Sequence, residues 1–307
     1  MIKIICVFGL TGTGKTEYAV KLAKKINGYC LSADSRQWYR GSPVGSNQPK
    51  GKMVAPKGVW KKIIKDDKYL EISGVPYLAC NSWHKKRAIT AMDFKKYCLG
   101  VISRQQKYAP DLTPILVGGT GLYIKAVIEP DFLQNVSKPN ANERKRLQKL
   151  SVAELQKELK KLSLAEYKKL ADPKNPHRLI RAIEKHSYVP SRVEVSDRHS
   201  VIPAKAGIYL NFEPKIIWLK QNQSPETYKK QIARRTNQIL NNGWIAEVEK
   251  LLKNSPRHPL LTGIGYRNIV DFINNKNTKP EMITKINAAM WQYARRQKNY
   301  FKNQLQK

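Results

Sequence analysis

Residues 9 to 16 read Gly9-Leu10-Thr11-Gly12-Thr13-Gly14-Lys15-Thr16 and directly follow the apolar run Ile4-Ile5-Cys6-Val7-Phe8. This order restricts the fold, because a buried strand must empty into a glycine-rich turn and then a helix, predicted over 15–26. In such a turn the backbone N–H groups face inward around an anion. Lys15 adds a point charge for the outer phosphates, and the Thr16 hydroxyl is suited to ligate Mg²⁺. The helix start adds the positive end of its dipole. A diphosphate or triphosphate is therefore expected on Gly9, Thr11, Gly12, Thr13, Gly14, Lys15 and Thr16, and the chemistry done on it must be read elsewhere.

The first 128 residues alternate strand and helix signals. A second strand is expected at 29–33, ending at Asp34-Ser35, and a further one at 72–79 beyond a polar stretch from Arg40 to Lys68 that reads as loop. A helix over about 90–108 precedes Pro114-Ile115-Leu116-Val117, a short apolar run that ends in Gly118-Gly119-Thr120-Gly121 and enters another helix. Runs of this kind belong to parallel strands covered on both faces. The fold class expected is α/β: a P-loop, nucleotide-kinase-like parallel sheet with helices on both faces and an all-α insertion domain. In such sheets the site lies beyond the carboxyl ends of the strands, where the loop, Asp34 and Thr120 all fall.

From Pro139 to about Tyr188 strand signals vanish and charged helical stretches appear at 142–150, 152–162 and 164–186, the last broken near Pro173 and Pro176. Ser151 and Glu154 make a capping box for the second. Ser196 to Leu210 fits neither period and looks similar to a translated palindromic repeat element, hence a tolerated loop. A strand resumes at Ile216 to Leu219, followed by a helix over 225–241 and further helices. The expected organisation is thus 1–130 as the first part of the core, 131–200 as the helical insertion, and 201–307 as core completion.

Charge narrows the partners. Fifty-seven Lys and Arg against 23 Asp and Glu leave a formal +34. A small-molecule kinase has no use for such a field, whereas an enzyme that captures a polyanion gains affinity and on-rate from it. No run approaches the ~18 apolar residues of a membrane helix, and no signal-peptide pattern precedes the first strand, so a cytoplasmic location and no membrane partner are expected. The four cysteines, Cys6, Cys30, Cys80 and Cys98, lie in apolar segments without C-x-x-C pairing, and the five histidines are scattered. Neither a disulfide framework nor a zinc site is expected.

Asp34 is the carboxylate best placed for chemistry in the core, since no apolar strand ends in the usual Walker-B aspartate. It suits an outer Mg²⁺ contact or a general base, against the plainer reading of a turn aspartate. Arg178 and Arg181, three residues apart on one predicted helix face beside His177, suit two backbone phosphates. Arg234-Arg235, Gly263-Ile264-Gly265-Tyr266-Arg267 and Tyr293-Ala294-Arg295-Arg296-Gln297 are each weak signals alone.

In order along the chain, however, these pieces resemble the tRNA dimethylallyltransferases, also called tRNA isopentenyltransferases. The resemblance rests on the Gly9–Thr16 loop, Asp34-Ser35-x-Gln37-x-Tyr39, Leu116-Val117-Gly118-Gly119-Thr120-Gly121-Leu122-Tyr123, Arg178-Leu179-x-Arg181-Ala182-x-Glu184, Arg235, Gly265-Tyr266-Arg267 and the Tyr293–Gln297 run. It implies transfer of a dimethylallyl group from its diphosphate to the exocyclic N6 amine of the adenosine 3′-adjacent to the tRNA anticodon, releasing diphosphate, with Mg²⁺ as cofactor and a monomer expected. It also implies Asp34, Thr120 and Lys15 as catalytic groups and Arg235 as a further diphosphate contact. The tRNA contacts it implies are Asp34, Ser35, Arg36, Gln37, Thr120, Arg144, His177, Arg178, Arg181, Gly265, Tyr266, Arg267, Arg295, Arg296 and Gln297. The chain departs from the family at Asn299-Tyr300, where Thr-Trp is usual, at Gly45-Ser46, and at Tyr77-Leu78-Ala79-Cys80, where the family carries a carboxylate. Three other readings share part of this pattern: a nucleoside or shikimate-type kinase, an isopentenyltransferase acting on free adenine nucleotides, and a non-catalytic P-loop RNA binder.

Overall fold

The computed structural model describes residues 1–83, 87–129, 132, 140–170, 172–187 and 210–305. The segment from Ser196 to Leu210, read above as an inserted loop, lies outside them except for Leu210. The chain divides into two compact units, 1–130 with 208–307, and 131–207.

The first unit runs β1 (Ile2–Gly9), α1 (Lys15–Lys25), β2 (Gly28–Ser32), β3 (Lys52–Val54), α2 (Trp60–Ile63), β4 (Tyr69–Ile72), β5 (Val75–Leu78), α3 (Ala91–Tyr108), β6 (Thr113–Gly118) and α4 (Gly121–Ile128). The second unit holds α5 (Ala141–Leu147), α6 (Val152–Leu162), α7 (Leu164–Lys169) and α8 (Pro176–Ser187). The first then resumes with β7 (Phe212–Leu219), α9 (Pro225–Asn241), α10 (Trp244–Asn254), a 3₁₀ turn at Pro259–Thr262, α11 (Tyr266–Ile273) and α12 (Lys279–Gln304).

One seven-stranded sheet, ordered β3-β4-β5-β2-β6-β1-β7, carries the first unit. From β5 to β7 every pairing is parallel, as the apolar runs led one to expect. The other edge corrects the expectation of a wholly parallel sheet. Residues 72–79 do not form one strand; β4 and β5 pair antiparallel, and β3 adds antiparallel to β4. The cause is the turn between them, where Ser73 and Gly74 both have positive φ, of 52° and 82°. Two successive residues of that kind favour the tight hairpin that matches strand twist.

Alternation along the strands distributes the core. Ile4, Cys6 and Phe8 of β1, with Leu116 of β6 and Tyr29 and Leu31 of β2, pack towards α3, α4 and α12. Val7, Cys30, Ile115 and Val117 pack towards Ala19, Val20 and Ala23 of α1. Burial on both faces is why β1 and β6 are almost wholly apolar. Each large side chain fully buried there contributes roughly 1.5–3 kcal/mol. Thr90 starts α3 with a capping box on Asp93, a signal present in the sequence beside the predicted boundary.

The second unit is all helical among its described residues. Leu155 and Leu159 of α6 pack on Leu179, Ile180 and Ile183 of α8, with Leu147 of α5. Ser151 and Glu154 form the capping box of α6. The stretch read as one broken helix is two, α7 and α8, because Pro176 has no N–H to continue a helix and instead opens α8.

Candidate active site

Three strand ends build the site. The first is the turn after β1, where Gly12 and Gly14 adopt φ of 80° and 75°, conformations that favour residues without a Cβ. Gly14 caps α1 without a side-chain acceptor, so the first N–H groups of that helix remain for an anion. The Thr13 hydroxyl donates to the Leu10 carbonyl at 2.9 Å, and Lys15 Nζ donates to the same oxygen. These bonds hold the turn closed from within. From outside, α9 braces it: the Tyr228 hydroxyl donates to the Thr11 carbonyl at 2.9 Å and Gln231 to the Gly12 carbonyl at 3.2 Å. Gly9 and Thr13 shape the turn and do not line its cavity.

The second and third strand ends, β2 and β6, are tied together. Ala33 N–H donates to the Val117 carbonyl at 2.8 Å, and Thr120 N–H donates to the Ala33 carbonyl at 3.1 Å. A Cβ on Gly118 would lie 2.3 Å from that Ala33 oxygen, so glycine is what allows the approach. The crossing sets Asp34 and Thr120 side by side. Asp34 Oδ1 accepts from Arg36 N–H at 2.9 Å, so the half-buried carboxylate both holds the turn and lines the site.

Two cavities meet here. One, of about 290 Å³, is walled by Gly12, Gly14, Lys15 and Thr16. The other, of about 250 Å³, has Thr120 on one side and Ile239, Trp244, Ile286 and Met290 on another. Thr11, Asp34, Asn47, Arg235 and Tyr293 line both. A cationic chamber and a largely apolar one thus share Asp34.

The electrostatics follow from enclosure. Burial pulls the Lys15 ammonium down to about 8, with Arg235 adding to the shift and Asp34 opposing it. Burial also lowers Arg235, again opposed by Asp34, and its Nε is buried without a hydrogen-bond partner. Two cations in one half-closed chamber, neither offset by a salt bridge among the described residues, is an arrangement completed by an anion. Burial pushes the Tyr293 phenol up to about 12, with Asp34 adding to the shift, so it stays a hydroxyl donor facing the shared wall.

Among the expected residues, Thr11, Gly12, Gly14, Lys15, Thr16, Asp34, Ser35, Arg36, Gln37, Thr120, Arg235 and Gln297 come together on these walls. Several expected RNA contacts also bond within the protein. Gln37 accepts from the Ser32 hydroxyl at 2.9 Å and donates to the Asn47 carbonyl at 3.2 Å. Gln297 donates to the Gly119 carbonyl at 2.8 Å. Tyr266 is buried and its hydroxyl donates to Glu247 at 2.7 Å. These bonds help build the site, and Gln37 and Gln297 line its wall as well. Gly265 lies beside them against the Trp244 ring, while Arg267, Arg295 and Arg296 are exposed. In the second unit Arg144 and Arg181 both bind the buried Glu184, at 2.6 Å and 3.0 Å, while His177 and Arg178 are exposed.

Sequence reading passed over Asn47, Trp244, Glu247 and, as a site residue, Tyr293. Tyr293 carried a usable signal, since it lies one turn before Gln297 on the same helix. Glu247 carried none. Its carboxylate accepts from Val44 N–H at 2.8 Å and Gly45 N–H at 2.9 Å, holding the loop whose residues Gly45, Ser46 and Asn47 line the apolar chamber. Glu247→Ala leaves those two N–H groups and the Tyr266 hydroxyl without their acceptor. We expect a loss of about 1–3 kcal/mol in a denaturant melt and faster hydrogen exchange at Val44 and Gly45. Unchanged exchange at both amides would show that the loop is held by other contacts.

The family departures are accommodated locally. Cys80 is buried beside Asp34 and burial pushes its thiol up, so it stays neutral and adds no carboxylate. The Tyr300 ring lies against Gly121, and the Ser46 hydroxyl donates to the Ser42 carbonyl at 2.6 Å.

Among the described residues no cluster of three or more His, Cys, Asp or Glu could hold a metal. Among the oxygens of the residues lining the cationic chamber are the Thr16 hydroxyl, the Asp34 carboxylate and the exposed Glu17 carboxylate, which pairs with Lys21. Such a sparse, hard-oxygen set fits Mg²⁺, which takes one or two protein oxygens and completes its shell from phosphates and water. Among the described residues no helix is long and apolar enough to cross a membrane.

Comparison with known proteins finds relatives over nearly the whole chain. The family model described as "IPP transferase" matches residues 62–304. A tRNA dimethylallyltransferase of Staphylococcus epidermidis is 28% identical over 314 aligned residues, covering 98% of this chain and 84% of that protein. One from Endomicrobium trichonymphae is 29% identical, covering 99% and 93%. Among solved structures, the full-length tRNA isopentenylpyrophosphate transferase from Bacillus halodurans superposes with a TM-score of 0.65 at 26% identity, covering 99% of this chain and 88% of that one.

Proposed function

Since the chain belongs to the IPP transferase family, we propose that it transfers a dimethylallyl group from dimethylallyl diphosphate to the N6 amine of the adenosine 3′-adjacent to the anticodon of tRNA. The observation that carries this reading is the pair of chambers meeting at Asp34, one built for phosphates and the other with an apolar wall.

In the reaction the allylic C1–O bond breaks, C1 bonds to N6, and one N6 proton leaves. Charge builds on the departing diphosphate, and the loop N–H groups, Lys15 and Arg235 are held ready for it before reaction begins. An adenine amine is a weak nucleophile because its lone pair is delocalised into the ring. Asp34 accepts the proton as the bond forms, a role worth about 10²–10⁴-fold. Tyr293 and Thr120 flank that carboxylate and orient the amine. Thr16 would hold Mg²⁺, which when bound supplies further charge neutralisation on the diphosphate. A base stacked in a loop must be splayed out to enter the apolar chamber, as single-stranded RNA permits.

Labelled dimethylallyl diphosphate offered in parallel to tRNA, AMP and ATP tests the reading. Label in tRNA alone supports it; label in AMP or ATP alone marks a free-nucleotide enzyme and overturns it.

The second unit gives the reading a separate handle. Arg178 is exposed and unpaired among the described residues, so it is the free cation of the pair first read as phosphate contacts. Arg178→Ala is expected to reduce the log–log salt slope of tRNA affinity by about one unit. A slope unchanged from the parent protein removes Arg178 as a phosphate contact.

A further inference from the structure

A third cavity, of about 440 Å³, adjoins the phosphate loop at Leu10 and Tyr228 but contains none of Lys15, Asp34 or Thr120. One wall is the carboxyl end of β7 with the turn after it, including Trp218 and Lys220. The other is a single stripe of α12, Trp291, Arg295, Lys298 and Lys302, spaced so that successive members stack along one helix face. Two indole rings and four cations therefore line one concavity, and no carboxylate does. Among the described residues none of the four cations ends in a salt bridge. Lysines lie over the rings: Lys220 Nζ is 5.5 Å from the centre of Trp218, and Lys229 Nζ is 5.2 Å from that of Trp291.

A protein of formal charge +34 has many basic surfaces, so cations alone mean little. Cations around half-buried indole rings in a cavity, lysines that a base could displace from the rings, are a narrower combination. An inorganic anion would leave the rings unused, and an apolar ligand would leave four charges unused. A nucleotide uses both, its base stacking on an indole and its phosphates meeting the cations. We propose that this cavity takes a nucleotide from a single-stranded segment of the RNA substrate, apart from the adenosine that is modified. The proposal rests on the function above only for the identity of the polymer.

The test titrates the full chain with a fluorescent single-stranded oligoribonucleotide of about eight residues, with tRNA, and with AMP, reading anisotropy and tryptophan quenching. Lys298→Glu with Lys302→Glu, both at exposed positions, should weaken oligonucleotide affinity about tenfold or more. Trp291→Leu should weaken it roughly fivefold or more and remove most of the quenching. Lys24→Glu with Lys25→Glu makes the same charge change on α1 and should cost much less. Equal weakening in that control, or unchanged affinity in both cavity variants, overturns the proposal. So does AMP binding as tightly as the oligonucleotide, which would mark a free-nucleotide site. If no RNA is modified in the transfer assay yet the variants behave as stated, the cavity assignment stands and the transfer reading falls.

Discussion

Asp34→Asn is expected to lower single-turnover dimethylallyl transfer by about 10²–10⁴-fold while leaving diphosphate affinity within about threefold of the parent. The substitution is close to isosteric, and an amide oxygen can still accept from Arg36 N–H, so the turn at the end of β2 survives. What it removes is the proton acceptor. It also removes a negative charge that supports the protonated state of Lys15, so the comparison belongs near pH 7, below the Lys15 value of about 8. Transfer within threefold of the parent would remove Asp34 as the base. A large loss of diphosphate affinity with transfer intact would instead make it a member of the phosphate chamber.

Lys15→Ala should fail differently. Lys15 faces the diphosphate in both ground and transition states, so affinity and turnover should fall together, turnover by about 10²–10³-fold. A pH series separates charge from shape. The ammonium of the empty site is pulled down from 10.5 to about 8, chiefly by burial. A bound diphosphate favours the charged form, so binding above pH 8 takes up a proton. Affinity should therefore be flat near pH 7 and fall by roughly tenfold per pH unit above 8. Lys15→Ala should abolish that slope. An alkaline slope retained in the variant would assign it to another group, and unchanged affinity would place the diphosphate elsewhere.

The parts of this protein that the sequence determined are the ones encoded within a few residues. The strand, turn and helix around Gly9–Thr16 are contiguous, and each step has a local cause: an apolar run, glycines for positive φ, and an uncapped helix start. Asp34 and Thr120 were readable because strand ends are, and parallel strands bring their carboxyl ends to one edge. The β4–β5 hairpin was locally encoded too, in Ser73-Gly74, and was missed because an apolar run across a two-residue turn resembles one strand.

Tertiary structure alone decided where side chains point once they leave their own element. Gln37, Tyr266 and Gln297 carry donors and acceptors that suit RNA equally well on paper. In the fold the Gln37 amide oxygen, the Tyr266 hydroxyl and the Gln297 amide N–H meet Ser32, Glu247 and the Gly119 carbonyl. Arg181 and Arg178 look alike in sequence, yet only Arg181 reaches the buried Glu184, which it shares with Arg144. The hold of Glu247 on Val44 and Gly45 spans some two hundred residues. Periodicity reports which face of an element is buried; which neighbour a polar atom meets there depends on packing between elements distant in the chain, and no local pattern encodes that.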